Sequence, residues 1–402
     1  MIGVEQHLSR ILATVARLAP IDLSLLDAQG CVLVEPVRSE VDLPGFTNSA
    51  MDGYAVRADS VREVPVVLPV AGDVAAGNTS ALSLAPGQTM RIMTGAPLPR
   101  GADAVVPVEL TDGGIARVRV DRSVVVGQHV REAATDVRAG DLLLADGVRL
   151  GPRQLALLAA AGVGRVRVTP RPRVVVLSTG DELVEPGRRP GFGQVVDSNG
   201  LMLAAALSAL GAVAFRVGGI RDDARSFLDA LDRQLMRADA VITTGGVSAG
   251  AYDTVKEVLS RHGTMQFDKV AMQPGMPQGF GTVQQRPVFT LPGNPVSALV
   301  SFEVFVAPAL RAMAGRPVHE QPLVEAVATH GWAAPAGKTQ FARVVVHRAG
   351  AGLAVALAGG QGSHILGGLA LANALAVVPV EVTEVRAGDT LRCHLLEPIM
   401  ES

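Results

Sequence analysis

The chain has 402 residues, 48% of them apolar and 18% charged, and a formal net charge of −2 at pH 7. The apolar share supports sizeable cores and excludes a disordered chain, while the length calls for roughly two to four domains. The near-neutral balance gives no footprint for nucleic acid, and Cys31 and Cys393 stand far apart without metal-type spacing, which argues against a disulfide framework and a structural zinc site.

In chain order, the opening MIGVEQHLSRILATVARL carries charges throughout an amphipathic pattern, which predicts a helix and not a signal peptide. No uninterrupted apolar run reaches the roughly 20 residues of a membrane span, so a cytoplasmic protein without a membrane partner is expected. Residues 45–145 are rich in Gly, Pro and short Val runs with regularly spaced polar turns, the pattern of a compact β domain. Residues 1–44 and 146–170 are expected to pack together, with a helix from about Pro152, which makes 45–145 an insertion. Within it, Met51 and Tyr54 read as core residues or as part of a site, and Asp52-Gly53 as a turn or a site. Arg91 to Pro97, with Thr94-Gly95 at its centre, reads as an anion-binding turn. Asp136 lies in a polar loop.

From 171 to 316 strand and helix signals alternate, which predicts a parallel sheet covered on both faces. Strand 173–178 runs into Thr179-Gly180-Asp181-Glu182, and a helix from about 199 to Leu210 follows the capping run Asp197-Ser198-Asn199. Strand 214–220 precedes Arg221-Asp222-Asp223. Strand 238–243 enters Thr244-Gly245-Gly246-Val-Ser248 and then the helical pattern from Asp253. Strand, Gly-rich turn and helix N-terminus is the recipe for an anion site, because unpaired backbone N–H groups point at the ligand. A tight turn without a ligand is the alternative. A last strand, 287–291, meets Pro292-Gly293-Asn294-Pro295 and a long helix to Ala314. Ligands of such sheets bind beyond the carboxyl ends of the strands, where all four loops lie.

Residues 320–402 read as short strands between Gly turns, a small β barrel. VRAGD occurs at 137–141 and again at 385–389, and reads as one turn used twice, not as a sequence repeat.

Asp181, Glu182, Asp222 and Asp253 are predicted to gather in the crevice. Clustered carboxylates repel unless protonated or bridged by a cation, and magnesium suits few carboxylates plus substrate phosphates. Helix capping by Asp222 and Asp253 is the alternative. No P-loop and no GxGxxG occurs, so ordinary nucleotide hydrolases and dehydrogenases lose support.

Eight stretches, PGFTNSAMDGYAVR (44–57), RIMTGAPLPRGADAVVPVE (91–109), STGDEL (178–183), DSN (197–199), IRDD (220–223), TTGGVSAGAYD (243–253), LPGNPVSA (291–298) and GQGSHI (360–365), resemble the molybdopterin molybdenumtransferase family in its own order. They are also similar to the E domain of gephyrin. The resemblance implies a central parallel α/β domain of the molybdopterin-binding type at 171–316. It also implies an inserted β-rich domain at 45–145, a C-terminal β domain at 320–402, and an N-terminal domain of 1–44 with 146–170. It implies a homodimer in which the insertion faces the other subunit's α/β domain. It further implies insertion of molybdenum from molybdate into adenylylated molybdopterin with release of AMP and with Mg²⁺, downstream of a molybdopterin adenylyltransferase.

The family's acidic positions fall on Asp52, Asp136, Glu182, Asp222 and Asp253, with Glu182, Asp222 and Asp253 expected at magnesium. Ligand-binding positions are implied at Thr94, Gly95, Thr179, Gly180, Ser198, Thr244, Gly245, Gly246, Ser248, Lys269, Pro292, Gly293, Asn294, Ser297 and Ser363, and Arg343 matches an arginine associated with molybdate. One departure stands out. Where the family usually has Lys-Pro-Gly-Lys-Pro, this chain has Gln273-Pro274-Gly275-Met276-Pro277, so only the upstream Lys269 is kept. Each missing charge-assisted hydrogen bond weakens anion binding by about 1.5–3 kcal/mol unless another group replaces it. The rival readings are a non-catalytic molybdopterin-binding or scaffold paralogue and, less well matched because it lacks the flanking β domains, an adenylyltransferase.

Overall fold

A computed structural model describes residues 1–77, 80–245, 254–319 and 323–399. By contacts the chain divides into a β unit, residues 22–29 with 33–167, and an α/β unit, residues 1–21, 30–32 and 168–402. Helix α1 (Val4–Thr14) belongs to the second of these, and α2 (Pro152–Ala160) to the first.

The β unit is built on five strands, β1 (Gly53–Val56), β2 (Val66–Val74), β3 (Thr89–Ile92), β4 (Ala104–Pro107) and β5 (Arg117–Val120), in the order β4-β1-β3-β2-β5. β1 and β4 are buried along their whole length. The two-residue period of a strand explains this: Ala55 and Val105 enter one core with Ile92, while Val56 and Val106 enter another with Val61 and Val120. Tyr54 is fully buried, its hydroxyl donating to the Gly114 carbonyl at 3.0 Å, whereas Met51 is 37% exposed and is no core residue. Gly53 is obligatory, since a Cβ there would lie 2.0 Å from the Val106 carbonyl oxygen.

In the α/β unit a six-stranded sheet runs β9-β6-β10-β14-β13-β11. Its members are β6 (Arg173–Thr179), β9 (Val213–Ile220), β10 (Ala240–Thr244), β11 (Gln266–Lys269), β13 (Pro277–Val283) and β14 (Arg286–Leu291). Two short strands, β7 (Leu183–Val184) and β8 (Val195–Val196), pair with each other, and β12 (Met272–Gln273) joins a different sheet. β9, β6, β10 and β14 are parallel; β13 and β11 are antiparallel to their neighbours, so the sheet is mixed at one edge. The antiparallel step is a two-residue turn at Gln284 (φ 49) and Gln285 (φ 63), left-handed at both positions as a type I′ hairpin turn requires.

Helices cover both faces. Val174 and Val176 of β6 point to α3 (Ser198–Leu210) and the 295–313 helix, while Val175 and Leu177 point to α4 (Ala224–Leu235) and α5 (Thr254–His262). The last helix comprises α6 (Pro295–Ser301), a π-helical turn over Phe302–Val306, and α7 (Ala307–Met313). Its 19 residues are long and apolar enough to cross a bilayer, but 78% of its most apolar stretch is buried inside the protein, which makes it a core helix.

The C-terminal strands β15 (Leu323–Ala328), β16 (Thr339–Ala349), β17 (Gly352–Leu357), β18 (Ala374–Val378) and β19 (Thr390–Leu395) close into a barrel in the order β16-β17-β15-β19-β18 and back to β16. Its core is small and aliphatic, with Ala326, Ala342, Ala374 and Ala376 against Val344, Val355 and Cys393.

The two VRAGD segments form the same turn, one in each unit. Asp141 and Asp389 accept from the amides of Arg138 and Arg386 at 2.9 and 2.7 Å, and Gly140 (φ 94) and Gly388 (φ 93) supply the left-handed residue. Each glycine amide then donates to a neighbouring segment, at Ser39 and Ala328 respectively.

Helix α1 docks through His7, which is 2% exposed, meets the Phe305 ring edge-on at 4.8 Å and stands 3.7 Å from an Asp268 oxygen held by Arg10. Burial lowers the His7 pKa to about 4, against a smaller opposing pull from Asp268. The unfolded imidazole, near 6.5, binds more protons than the folded one, so this contribution is complete above pH 6.5 and is lost as the pH falls toward 4. The loss amounts to at most about 3 kcal/mol. Thermal unfolding from pH 7 to pH 4 is therefore expected to drop more steeply for the wild type than for His7→Leu. Parallel curves would remove His7 from this role.

Candidate active site

Three parallel strands end level with one another. Ser178 of β6 is opposite Thr244 of β10, and Thr243 and Thr244 are opposite Thr290 and Leu291 of β14. The chain must turn sharply there to reach the covering helices. It does so at Gly180 (φ 150), at Gly245 (φ 88), whose amide donates to the Leu291 carbonyl at 3.1 Å, and at Pro292-Gly293. Beyond the strand ends lies a cavity of about 240 Å³, walled by Thr179, Glu182, Leu183, Val195, Val196, Asp197, Ser198, Asn199, Thr244, Gly245, Gly293 and Pro295.

One wall of this cavity is the start of α3. Asp197, 3% exposed, caps the helix by accepting from the Gly200 amide at 2.9 Å, and its other oxygen takes Nη2 of Arg216 at 2.8 Å. The helix N-terminus adds a partial positive field toward the cavity. The Asn199 amide donates to the Gly293 carbonyl at 2.7 Å, which ties α3 to the loop after β14, and Asn199 Oδ1 is buried without a partner among the described residues. Asn294 donates to the Ser363 hydroxyl at 2.9 Å and so joins that loop to the 359–365 segment. Ser297 is buried in the first turn of α6.

Glu182 stands at the cavity edge, and its carboxylate has no hydrogen-bond or ion-pair partner among the described residues. It folds back over Gly180, where a Cβ would lie 2.6 Å from Oε2. An unpaired carboxylate beside backbone amides and small hydroxyls can hold a hard cation or accept a proton, and the polar part of the lining, set against Leu183, Val195, Val196 and Pro295, suits the phosphate of a ligand with an apolar portion.

Several expectations need correcting. Asp181, Glu182 and Asp222 do not gather as predicted: among the described residues no group of three or more His, Cys, Asp or Glu side chains could hold a metal ion. Asp181 turns away to accept the Asp222 amide at 3.2 Å, Asp222 is exposed and does not wall the cavity, and α4 is capped by Asp223, which accepts from Ser226 at 2.8 Å. Asp253, Gly246 and Ser248 lie outside the described residues. Lys269 is exposed at the end of β11, away from the cavity walls, and Gln273 is likewise exposed on β12, paired with β16.

Arg343 does not present its guanidinium to an oxyanion. It is 1% exposed, and its terminal nitrogens donate to the carbonyls of Gly360 and Gly362, so it shapes the loop that carries Ser363. Burial lowers its pKa. Thr94-Gly95 is not the strand-to-helix turn expected, because no helix follows β3. The Thr94 amide and hydroxyl both donate to Asp52 Oδ1, at 2.6 and 2.8 Å, and the Gly95 amide donates to Ser49. The Thr94 amide, and after it the hydroxyl, hold the exposed Asp52 carboxyl below its usual range. Asp136 is exposed in the same β unit.

Sequence reading misses Arg216 and the paired strands β7 and β8, in particular Val195 and Val196. It shows Asp197 only as a cap. The partner of Asp197 gives no signal, being one arginine in an apolar strand. A second and larger cavity of about 460 Å³ lies in the same unit among Val4, Leu8, Val304, Pro308, Phe341 and Val377, with His394 3.4 Å from Glu303 at its rim.

Three protein-family models match: the MoeA N-terminal region (domain I and II) over residues 2–162, a "probable molybdopterin binding domain" over 175–312, and the MoeA C-terminal region (domain IV) over 325–396. The chain is 46% identical to a protein named molybdopterin molybdenumtransferase 2 from Mycobacterium tuberculosis, over 98% of this chain and 99% of that one. It is 40% identical to molybdopterin molybdenumtransferase 1 of the same organism, over 97% of each. A crystal structure of a molybdopterin biosynthesis MoeA protein from Pyrococcus horikoshii superposes with a TM-score of 0.76 at 30% identity, over 99% of this chain and 100% of that one.

Proposed function

This chain belongs to the molybdopterin molybdenumtransferase family and is a transferase of molybdenum cofactor biosynthesis, and from that premise we propose that the 240 Å³ cavity is where molybdenum enters molybdopterin. The substrates we assign are adenylylated molybdopterin and molybdate, and the products are the molybdenum cofactor and AMP. The reading is carried by one observation: the level carboxyl ends of β6, β10 and β14 open onto a cavity with mixed polar and apolar walls inside the segment that matches the molybdopterin-binding model.

Within it, Thr179, Gly180, Thr244, Gly245, Pro292, Gly293 and Asn294 line or turn the loops that cradle the pterin phosphates, with Ser198 at the start of α3 and Ser297 and Ser363 behind. Arg343 acts through the loop it braces. Mg²⁺ fits the donor chemistry: Glu182 offers a hard, unpaired carboxylate, and magnesium takes one or two such groups with phosphate oxygens. When bound, it would neutralise charge on the pyrophosphate as AMP departs. Asp253 is assigned to the same ion, and Lys269 to the approach of the anions. Asp52, fixed by Thr94, and Asp136 are assigned to act from the other subunit of a homodimer. The Thr94 clasp keeps Asp52 charged and oriented. A cytoplasmic location and an upstream adenylyltransferase partner complete the reading.

The test is direct. Purified protein mixed with adenylylated molybdopterin, molybdate and Mg²⁺ is expected to release AMP, and release should depend on molybdate. Binding of the nucleotide without molybdate-dependent release would replace the reading with that of a molybdopterin-binding scaffold, a role compatible with Gln273 and Met276 in place of lysines.

A further inference from the structure

Arg216 lies on β9, the edge strand beside β6, and its side chain is 23% exposed. Nη1 donates to Glu185 Oε2 at 2.7 Å and Nη2 to Asp197 Oδ2 at 2.8 Å. These two acceptors stand at the two ends of residues 185–197, the excursion that leaves after β7 and returns through β8 to the start of α3. β7 and β8 pair in parallel, Leu183 opposite Val195 and Val184 opposite Val196. A parallel pair cannot be closed by a tight hairpin turn, so its connection needs another anchor.

The surroundings are shaped for this guanidinium. A Cβ on Gly218 would lie 2.5 Å from Glu185 Oε1, and one on Gly200 would lie 2.6 Å from Asp197 Oδ2 and 2.8 Å from Arg216 Nε. Two glycines therefore leave the space the network occupies. The same wall carries Glu182, Leu183, Val195, Val196, Ser198 and Asn199 into the cavity.

We propose that Arg216 is a positioning residue that fixes both ends of the 185–197 wall, and through that wall sets the grip on substrate without touching it. Its kinetic consequence rests on the function proposed above; the tether itself does not.

The test uses the full chain and two variants, Arg216→Gln and Arg216→Lys. Limited trypsin digestion is read at the Arg188–Arg189 bond inside the excursion. Cutting there is expected to be at least about fivefold faster in R216Q, with other sites unchanged, because local opening governs the rate. In the same variant, KM for adenylylated molybdopterin should rise about tenfold while kcat stays within about threefold, the signature of lost uniform binding. R216K, which keeps the charge but lacks the fork, should fall between wild type and R216Q on both readouts. Cleavage and KM both within twofold of wild type would overturn the proposal. So would faster cutting at every site together with a lowered Tm, which would make Arg216 a general stabiliser. If no form releases AMP, the reaction assignment fails, while the trypsin result still decides the tether.

Discussion

Glu182→Gln is expected to lower kcat for molybdate-dependent AMP release by about a hundredfold, the scale of losing one electrostatic group aimed at charge that develops in the transition state. The substitution keeps size and shape and removes only charge. The residue is exposed and has no partner among the described residues, so stability should hardly move. Asp197 walls the same cavity, but its oxygens are committed to Gly200 and Arg216, which leaves Glu182 as the open carboxylate there among the described residues. A kcat within threefold of wild type, at unchanged Tm, would take Glu182 out of the chemistry.

Asp197→Ala should act on stability first. Loss of the cap on α3 costs about 1–2 kcal/mol, and breaking a largely buried ion pair adds to it, for a total of roughly 3 kcal/mol. Part of the second cost is softened because Arg216 keeps Glu185. For an α/β unit of this size the melting transition should fall by roughly 6 °C or more. Asp197→Asn, which preserves an accepting oxygen for Gly200, should lose about half as much. Equal melting temperatures for Ala and wild type would mean that neither the cap nor the ion pair matters.

Much of the fold is legible in the sequence because local chemistry and global position agree. Asp197-Ser198-Asn199 before an apolar helix reads as a cap and is one. The apolar runs at 173–178 and 238–243 read as strands of a parallel sheet covered on both faces, and β6 and β10 are such strands. VRAGD reads as a turn because Asp accepts a backbone amide three residues back and Gly takes the left-handed position, in both places.

The misses share a cause, which is that side-chain pairing over distance leaves no local mark. Arg216 finds Glu185 and Asp197, 31 and 19 residues away in sequence. Gln284-Gln285 carries none of the Asn-Gly or Asp-Gly chemistry that announces a type I′ turn, so the antiparallel edge of the sheet is invisible in the sequence. Thr94-Gly95 resembles an anion turn because composition alone cannot tell a turn between strands from one before a helix. Arg343 carries a charge, yet its burial and the two carbonyls it serves make it a brace for a loop.

The most direct measurement is a crystal of the full chain with adenylylated molybdopterin or AMP and Mg²⁺, solved for the position of the ligand. Phosphate density between Glu182, Asn199, Gly245 and Gly293, beyond the ends of β6, β10 and β14, is the predicted result. Ligand held instead in the 460 Å³ cavity beside Val4, Leu8 and Phe341, with the strand-end cavity empty, would contradict it.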